Sequence, residues 1–205
     1  MYIVSIGGNI GCGKTTLIER LQQITPNNVF PEPIGKWGDW LGMFYKDPHR
    51  CAFPFQMKVL MDFLYFNKSH DKEVVVTERS PLDSLYVFCK TLSDKGYISD
   101  MEYTLFKECV DKVGWIPQMY IYLRADPRTC VERINSRARD CEDKIDPEYI
   151  SQIHNAYDKM DMEMYGTKVH VVDANRDQEA VFNEVMQILQ SEVNFPSYGG
   201  EKSIF

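Results

Sequence analysis

The segment Gly8-Asn9-Ile10-Gly11-Cys12-Gly13-Lys14-Thr15 concentrates three glycines, a lysine and a hydroxyl in one short stretch. Glycines at those positions let a backbone wrap an anion with its N–H groups, and a helix starting at the lysine adds partial positive charge. The chemistry is phosphate holding. Lys14 would reach the β- and γ-phosphates of a nucleoside triphosphate, and the Thr15 hydroxyl is a hard oxygen ligand suited to magnesium. Thr16 continues the same turn. A β-branched run, Tyr2–Ile6, precedes the loop, and amphipathic Leu17, Ile18 and Leu21 follow it, as a P-loop requires. A dinucleotide-binding loop is excluded, because Lys14 stands where that fold takes a small apolar residue. No Asn-Lys-x-Asp sequence marks a guanine-specific switch.

Four further clusters could supply an acceptor side. They are Pro31-Glu32-Pro33-Ile34-Gly35-Lys36-Trp37, Tyr45-Lys46-Asp47-Pro48 with Pro54-Phe55-Gln56, Thr77-Glu78-Arg79-Ser80, and Arg133 to Glu142. A phosphoryl acceptor hydroxyl needs a carboxylate within hydrogen-bond reach. Glu32 and Glu78 both close a strand, so either fits. Arg79 follows Glu78 and can hold a carboxylate by charge-assisted bonds. The planar amide of Gln56 offers one donor and one acceptor, which suits a base edge. Arg133 and Arg137 share a helix face at i and i+4, and Arg139 follows at the turn. Three guanidiniums there could neutralise a triphosphate, as a lid.

Those residues need a scaffold that brings strand ends together. Short apolar runs at Tyr2–Ile6, Asn28–Pro31, Glu73–Thr77, Gln118–Leu123 and Lys168–Val172 alternate with helical patterns. That alternation predicts an α/β chain with a five-stranded parallel sheet covered by helices on both faces. Helices are predicted at 14–24, 36–45, 52–69, 81–92, 99–115, 127–138, 147–164 and 177–190. Ser99 with Glu102 reads as a capping box, and Asp126-Pro127 as a helix start. The pattern fits one domain over 1–193, a lid at about 133–143, and a loose tail over 194–205.

The 205 residues carry 23 Lys and Arg against 30 Asp and Glu, a net charge of -7. That balance repels a nucleic-acid polymer. No long apolar run offers a membrane span. The six cysteines form no C-x-x-C pair and no zinc spacing, which favours a reducing compartment. With no basic leader before the first strand, the expected location is the cytoplasm, or host cytoplasm for a viral chain.

From Ile3 to about Asp173 these motifs, in order and spacing, resemble the deoxynucleoside kinase family. Its members include insect multisubstrate deoxynucleoside kinase, deoxycytidine kinase and mitochondrial thymidine kinase, and the length is similar to that of compact viral or bacterial members. The resemblance implies a P-loop kinase fold and transfer of the γ-phosphate of ATP, with Mg²⁺, to a deoxynucleoside 5′-hydroxyl. It places Glu32 beside that hydroxyl, steered by Arg79, with Glu78 either a rival base or the metal organiser alongside Thr15. Gln56 would read the base between Trp37, Phe55 and Tyr86 or Phe88, and Tyr45 and Glu142 would hold the sugar 3′-hydroxyl. It further implies a homodimer through helices 81–92 and 99–115, and feedback inhibition by a deoxynucleoside triphosphate.

The chain departs from the family pattern at several points. Phe63 and Ser84 stand where deoxycytidine and deoxyguanosine kinases carry Arg and Asp, which resembles the thymidine-accepting members and implies pyrimidine substrates. Asp83 lies one residue early to replace that acid. Gly7 replaces an acidic residue, and Cys12 a Ser or Ala. A nucleoside monophosphate kinase shares the fold but needs a basic acceptor site. A sensor of deoxynucleoside triphosphates would bind without turnover.

Overall fold

The computed structural model describes residues 1–66, 73–137 and 145–196. Five strands, β1 (Tyr2–Gly8), β2 (Val29–Phe30), β3 (Val74–Glu78), β4 (Met119–Arg124) and β5 (Lys168–Asp173), form one parallel sheet in the order β2-β3-β1-β4-β5. Alternate strand residues sort into two cores. Ile3, Val75, Tyr120 and Tyr122 face one side, and Val4, Ile6, Val76 and Ile121 the other. Burial on both faces explains why the strands read as nearly continuous apolar runs.

The second face is covered by α1 (Lys14–Ile24), α7 (Pro127–Arg137) and α9 (Gln178–Val193), through Leu17, Ile18, Cys130, Ile134, Val185 and Leu189. The first face takes α2 (Ile34–Lys46), α3 (Pro48–Phe66), α6 (Asp100–Val113) and α8 (Pro147–Lys159). It also takes a helical run in three pieces: α4 (Pro81–Asp83), a π-helical segment over Ser84–Cys89, and α5 (Lys90–Asp94). The sequence pattern showed a single helix over 81–92. The wider π turn allows Asp83 to face the sheet while Ser84 and Phe88 face a cavity.

Local chemistry sets the helix ends. Ser99 Oγ accepts from the Glu102 amide and Glu102 Oε2 from the Ser99 amide, so the expected capping box forms. Helix 99–115 ends early, because Gly114 is extended and Trp115 turns inward to donate to the Phe63 carbonyl at 3.0 Å. α3 begins at Pro48 and runs through Pro54, since Ala52, Phe55, Leu60 and Phe63 anchor one buried face. Asn194, at φ 52°, caps α9, and Phe195 is buried against it, so the fold continues past 193 to residue 196. Among the described residues no helix is long and apolar enough to cross a membrane.

Gly7 has a steric reason. A Cβ there would stand 1.6 Å from the Tyr120 hydroxyl and 2.6 Å from Asp83 Oδ1. Those two groups, 2.5 Å apart, fill the space beside the strand. Overpacking of this kind costs about 1–3 kcal/mol, so Gly7→Ala is expected to lower the thermal midpoint by several degrees. An unchanged midpoint in calorimetry would show that this space is not tightly packed.

Candidate active site

The functional side chains collect at the carboxyl edge of the sheet, where ligands bind in open α/β folds. After β1 the chain enters the glycine loop. Gly8 and Gly11 adopt φ of 143° and 82°, and a Cβ on either would meet a backbone carbonyl, of Leu123 or Cys130, at 2.5 Å. Only glycine fits. Asn9 locks the loop to α8, its side-chain amide donating to the Ile150 carbonyl at 2.9 Å. The Lys14 ammonium, buried, donates to the carbonyls of Gly8 at 2.9 Å and Asn9 at 2.7 Å.

Strand register brings the carboxylates in. Ile6 pairs with Glu78 across β1 and β3, and Phe30 pairs with Thr77 across β2 and β3. Two residues beyond that pair, Glu32 meets Arg79: Nη1 donates to Glu32 Oε2 at 2.5 Å. The Arg79 guanidinium donates from Nε to the Tyr157 hydroxyl at 3.1 Å and from Nη2 to the Gly8 carbonyl at 3.3 Å. It also lies over the Phe88 ring, 4.6 Å from its centroid. Arg79 holds a left-handed φ of 60°, a strain of about 1 kcal/mol or more that its backbone bonds to Ile6 and Thr77 sustain.

Glu78 bridges the two sides. Its Oε1 accepts from the Thr15 hydroxyl at 3.4 Å and its Oε2 from the Glu32 amide at 3.2 Å. Burial and the charge of Glu32 raise its carboxyl above the usual range, against the opposing pull of Lys14 and Arg79. A divalent cation there would relieve that repulsion. The Thr15 hydroxyl and Glu78 are hard oxygens, and magnesium in kinases takes few protein ligands besides phosphates. No cluster of three or more His, Cys, Asp or Glu able to hold a metal occurs among the described residues.

These groups line one cavity of about 310 Å³. Ile10, Gly11 to Thr16 and Arg133 line it from the glycine loop and α7. Trp37, Tyr45, Phe55, Gln56, Ser84 and Phe88 line it together with Glu32, Glu78 and Arg79. Gln56 is buried, with 5% of the residue exposed, and lines the cavity. Phe63 does not line the cavity. It packs edge-on against Trp115, 6.1 Å between centroids, and Val59 takes the wall position instead. Tyr86 also turns away, to the Tyr165 hydroxyl. Asp83 is directed into the sheet side, toward Ser80, Tyr120 and Tyr157, and does not line the cavity. Arg133 donates to the carbonyls of Cys12, Ala174 and Arg176, which ties α7 to the loop. The side chain of Arg137, together with Arg139 and Glu142, lies outside the described residues.

Sequence reasoning missed the remaining walls. Arg20, Arg176, Gln178, Val181 and Phe182 line the cavity, with the Arg20 guanidinium 3.7 Å over the Phe182 ring. Tyr149 lines it from α8. In the sequence, Val181 and Phe182 carry only the period of a core helix.

Comparison with known proteins decides the family. Residues 4–194 match the family model described as deoxynucleoside kinase. The chain belongs to the deoxynucleoside kinase family. This kinase is 35% identical to an Invertebrate iridescent virus 3 protein named as a kinase, over 92% of this chain and 96% of that one. It is 28% identical to the thymidine kinase of Ictalurid herpesvirus 1, over 91% and 85%. A solved deoxyadenosine kinase from M. mycoides shares the fold at a TM-score of 0.81, with 24% identity over 92% and 98% of the two chains.

Because the Glu78 carboxyl is raised, the folded kinase holds a proton that the unfolded chain releases. That contribution is complete below the ordinary value of 4.5 and is lost as pH rises through the raised value. Glu78→Gln removes it. The variant is therefore expected to melt above the parent near neutral pH, with the gap closing as pH falls below about 4.5. A gap that is constant across that range would contradict the burial-driven shift.

Proposed function

We propose that the kinase transfers the γ-phosphate of ATP, with Mg²⁺, to the 5′-hydroxyl of pyrimidine deoxynucleosides, thymidine included. The observation that carries this reading is the buried Glu32–Arg79 pair, which shares a cavity with Lys14 and the glycine loop. Glu32 accepts the 5′ proton while the 5′-oxygen bonds to the γ-phosphorus, and the bond to the β–γ bridging oxygen breaks to release ADP. Arg79 holds Glu32 in place. Lys14 and the lid arginines Arg133, Arg137 and Arg139 neutralise charge spreading over the γ-oxygens. Thr15 and Glu78 would hold the cation, which supplies charge neutralisation at the phosphates.

Gln56 supports the acceptor assignment, since a planar amide on a buried residue that lines the cavity suits the edge of a base. Ser84 and Val59 put no charged group at those lining positions, in keeping with a thymine methyl. Tyr45 and Glu142 complete the proposal by holding the 3′-hydroxyl. A monophosphate acceptor is disfavoured, because Glu32 would repel its phosphate. The proposal extends to a homodimer, feedback by a deoxynucleoside triphosphate bound across both subsites, and action in the cytoplasm.

Two measurements test the reading. Glu32→Ala is expected to lower kcat by about 10²-fold or more, the scale of acid–base assistance. A near-normal kcat would move the base role to Glu78. In a panel of acceptors, thymidine should be phosphorylated well ahead of both deoxyguanosine and thymidine monophosphate; equal kcat/KM for deoxyguanosine would overturn the pyrimidine assignment.

A further inference from the structure

Arg79 does not orient itself. Its Nε donates to the Tyr157 hydroxyl, which in turn donates to Asp83 Oδ1 at 3.0 Å. Asp83 is fully buried, and every contact it makes is with a group that fixes it. Its Oδ2 accepts from the Ser80 amide at 2.8 Å and the Ser80 hydroxyl at 2.6 Å, and its Oδ1 also accepts from Tyr120. Tyr157 is 3% exposed, and its ring stacks on Tyr122 at 5.5 Å between centroids. Neither Asp83 nor Tyr157 lines the cavity.

The chain therefore contains a continuous route of hydrogen bonds from a buried acid on the sheet side to the carboxylate in the cavity. It runs Asp83, Tyr157, Arg79, Glu32. We propose that Asp83 and Tyr157 are positioning residues for phosphoryl transfer, setting the guanidinium of Arg79 and, through it, the direction of Glu32. The proposal rests on the assignment of Glu32 and Arg79 to the acceptor site.

Three features make the route specific. First, the acid needs the space that Gly7 vacates, for a Cβ on residue 7 would stand 2.6 Å from Asp83 Oδ1. Second, the π segment begins at the next residue, so Asp83 can point to the sheet while Phe88 packs under the same guanidinium that Tyr157 holds. Third, Arg79 has a strained backbone, so its side-chain direction depends on external anchors. Charged and titratable neighbours of Asp83 are Arg79, Tyr120 and Tyr157. Burial raises its carboxyl, and these partners with Ser80 favour the charged form.

Tyr157→Phe keeps the stacked ring and removes one hydroxyl. The expected result is a fall in kcat of about tenfold, as for loss of one hydrogen bond to a charged group, with KM for nucleoside and ATP within about twofold; the melting temperature falls too, because Arg79 Nε and Asp83 Oδ1 are each left buried with one partner fewer. Asp83→Asn should give the same signature. The double variant should be no slower than the slower single variant, because both act through one route. Multiplied losses, a kcat within about twofold of the parent for Tyr157→Phe, or a loss that appears only in KM or melting would each overturn the proposal. If Asp83→Asn does not fold, the Tyr157→Phe split of kcat against KM still decides. Glu32→Ala is measured beside them. An active Glu32→Ala enzyme would overturn the base assignment and with it the route's role in directing Glu32, whereas a silent Tyr157→Phe with an inactive Glu32→Ala would overturn only the positioning route.

Discussion

A buried ion pair between Glu32 and Arg79 is the constraint on which the rest of the site depends. Taking two charges out of water costs several kcal/mol per ion, and removing one partner of such a pair destabilises by about 3–5 kcal/mol. The pair is tolerable because the guanidinium is satisfied on several sides. Arg79 reaches Glu32, Tyr157 and the Gly8 carbonyl, and rests on the Phe88 ring. A hydrophobic pair of the same volume would pack at less electrostatic cost. The charges sit in a cavity that also holds Lys14 and Glu78.

The fold supplies that constraint through register. β2 and β3 pair Phe30 with Thr77, so the residues two steps beyond them come face to face at the sheet edge. β1 and β3 pair Ile6 with Glu78, which sets the middle carboxylate beside the start of the glycine loop. β3 thus ends on the acid that bridges both sides, and Arg79, the residue after it, clamps the other acid. A slip of one residue would turn these groups to the opposite face. Apolar residues on alternate positions of the same strands prevent it, since Val75 and Val76 each belong to a different core.

α8 couples the halves from the other direction. Ile150 receives the Asn9 amide, Tyr149 lines the cavity and Tyr157 holds Arg79. A single helix therefore touches the phosphate loop, the cavity wall and the guanidinium. Sequence inspection saw in it a helix and no chemistry. Its tyrosines have the spacing of a core face, and nothing local separates a packing hydroxyl from one that orients an arginine.

The glycine loop, the alternation of strands and helices, and the capping box at Ser99 were determined by the sequence itself, because each depends on neighbours within a few residues. Glu32, Glu78 and Arg79 stood out as polar residues at the ends of apolar runs, and Gln56 for its planar amide. Tertiary structure alone decided which of them meet. The Glu32–Arg79 contact joins residues 47 positions apart through strand order. Asp83 turns to the sheet because Gly7 leaves room and Tyr120 offers a donor. Phe63 packs on Trp115 behind the wall, where Val59 reaches the cavity first. Side-chain direction at such positions is set by the volume that distant segments leave open, and no local pattern records that volume.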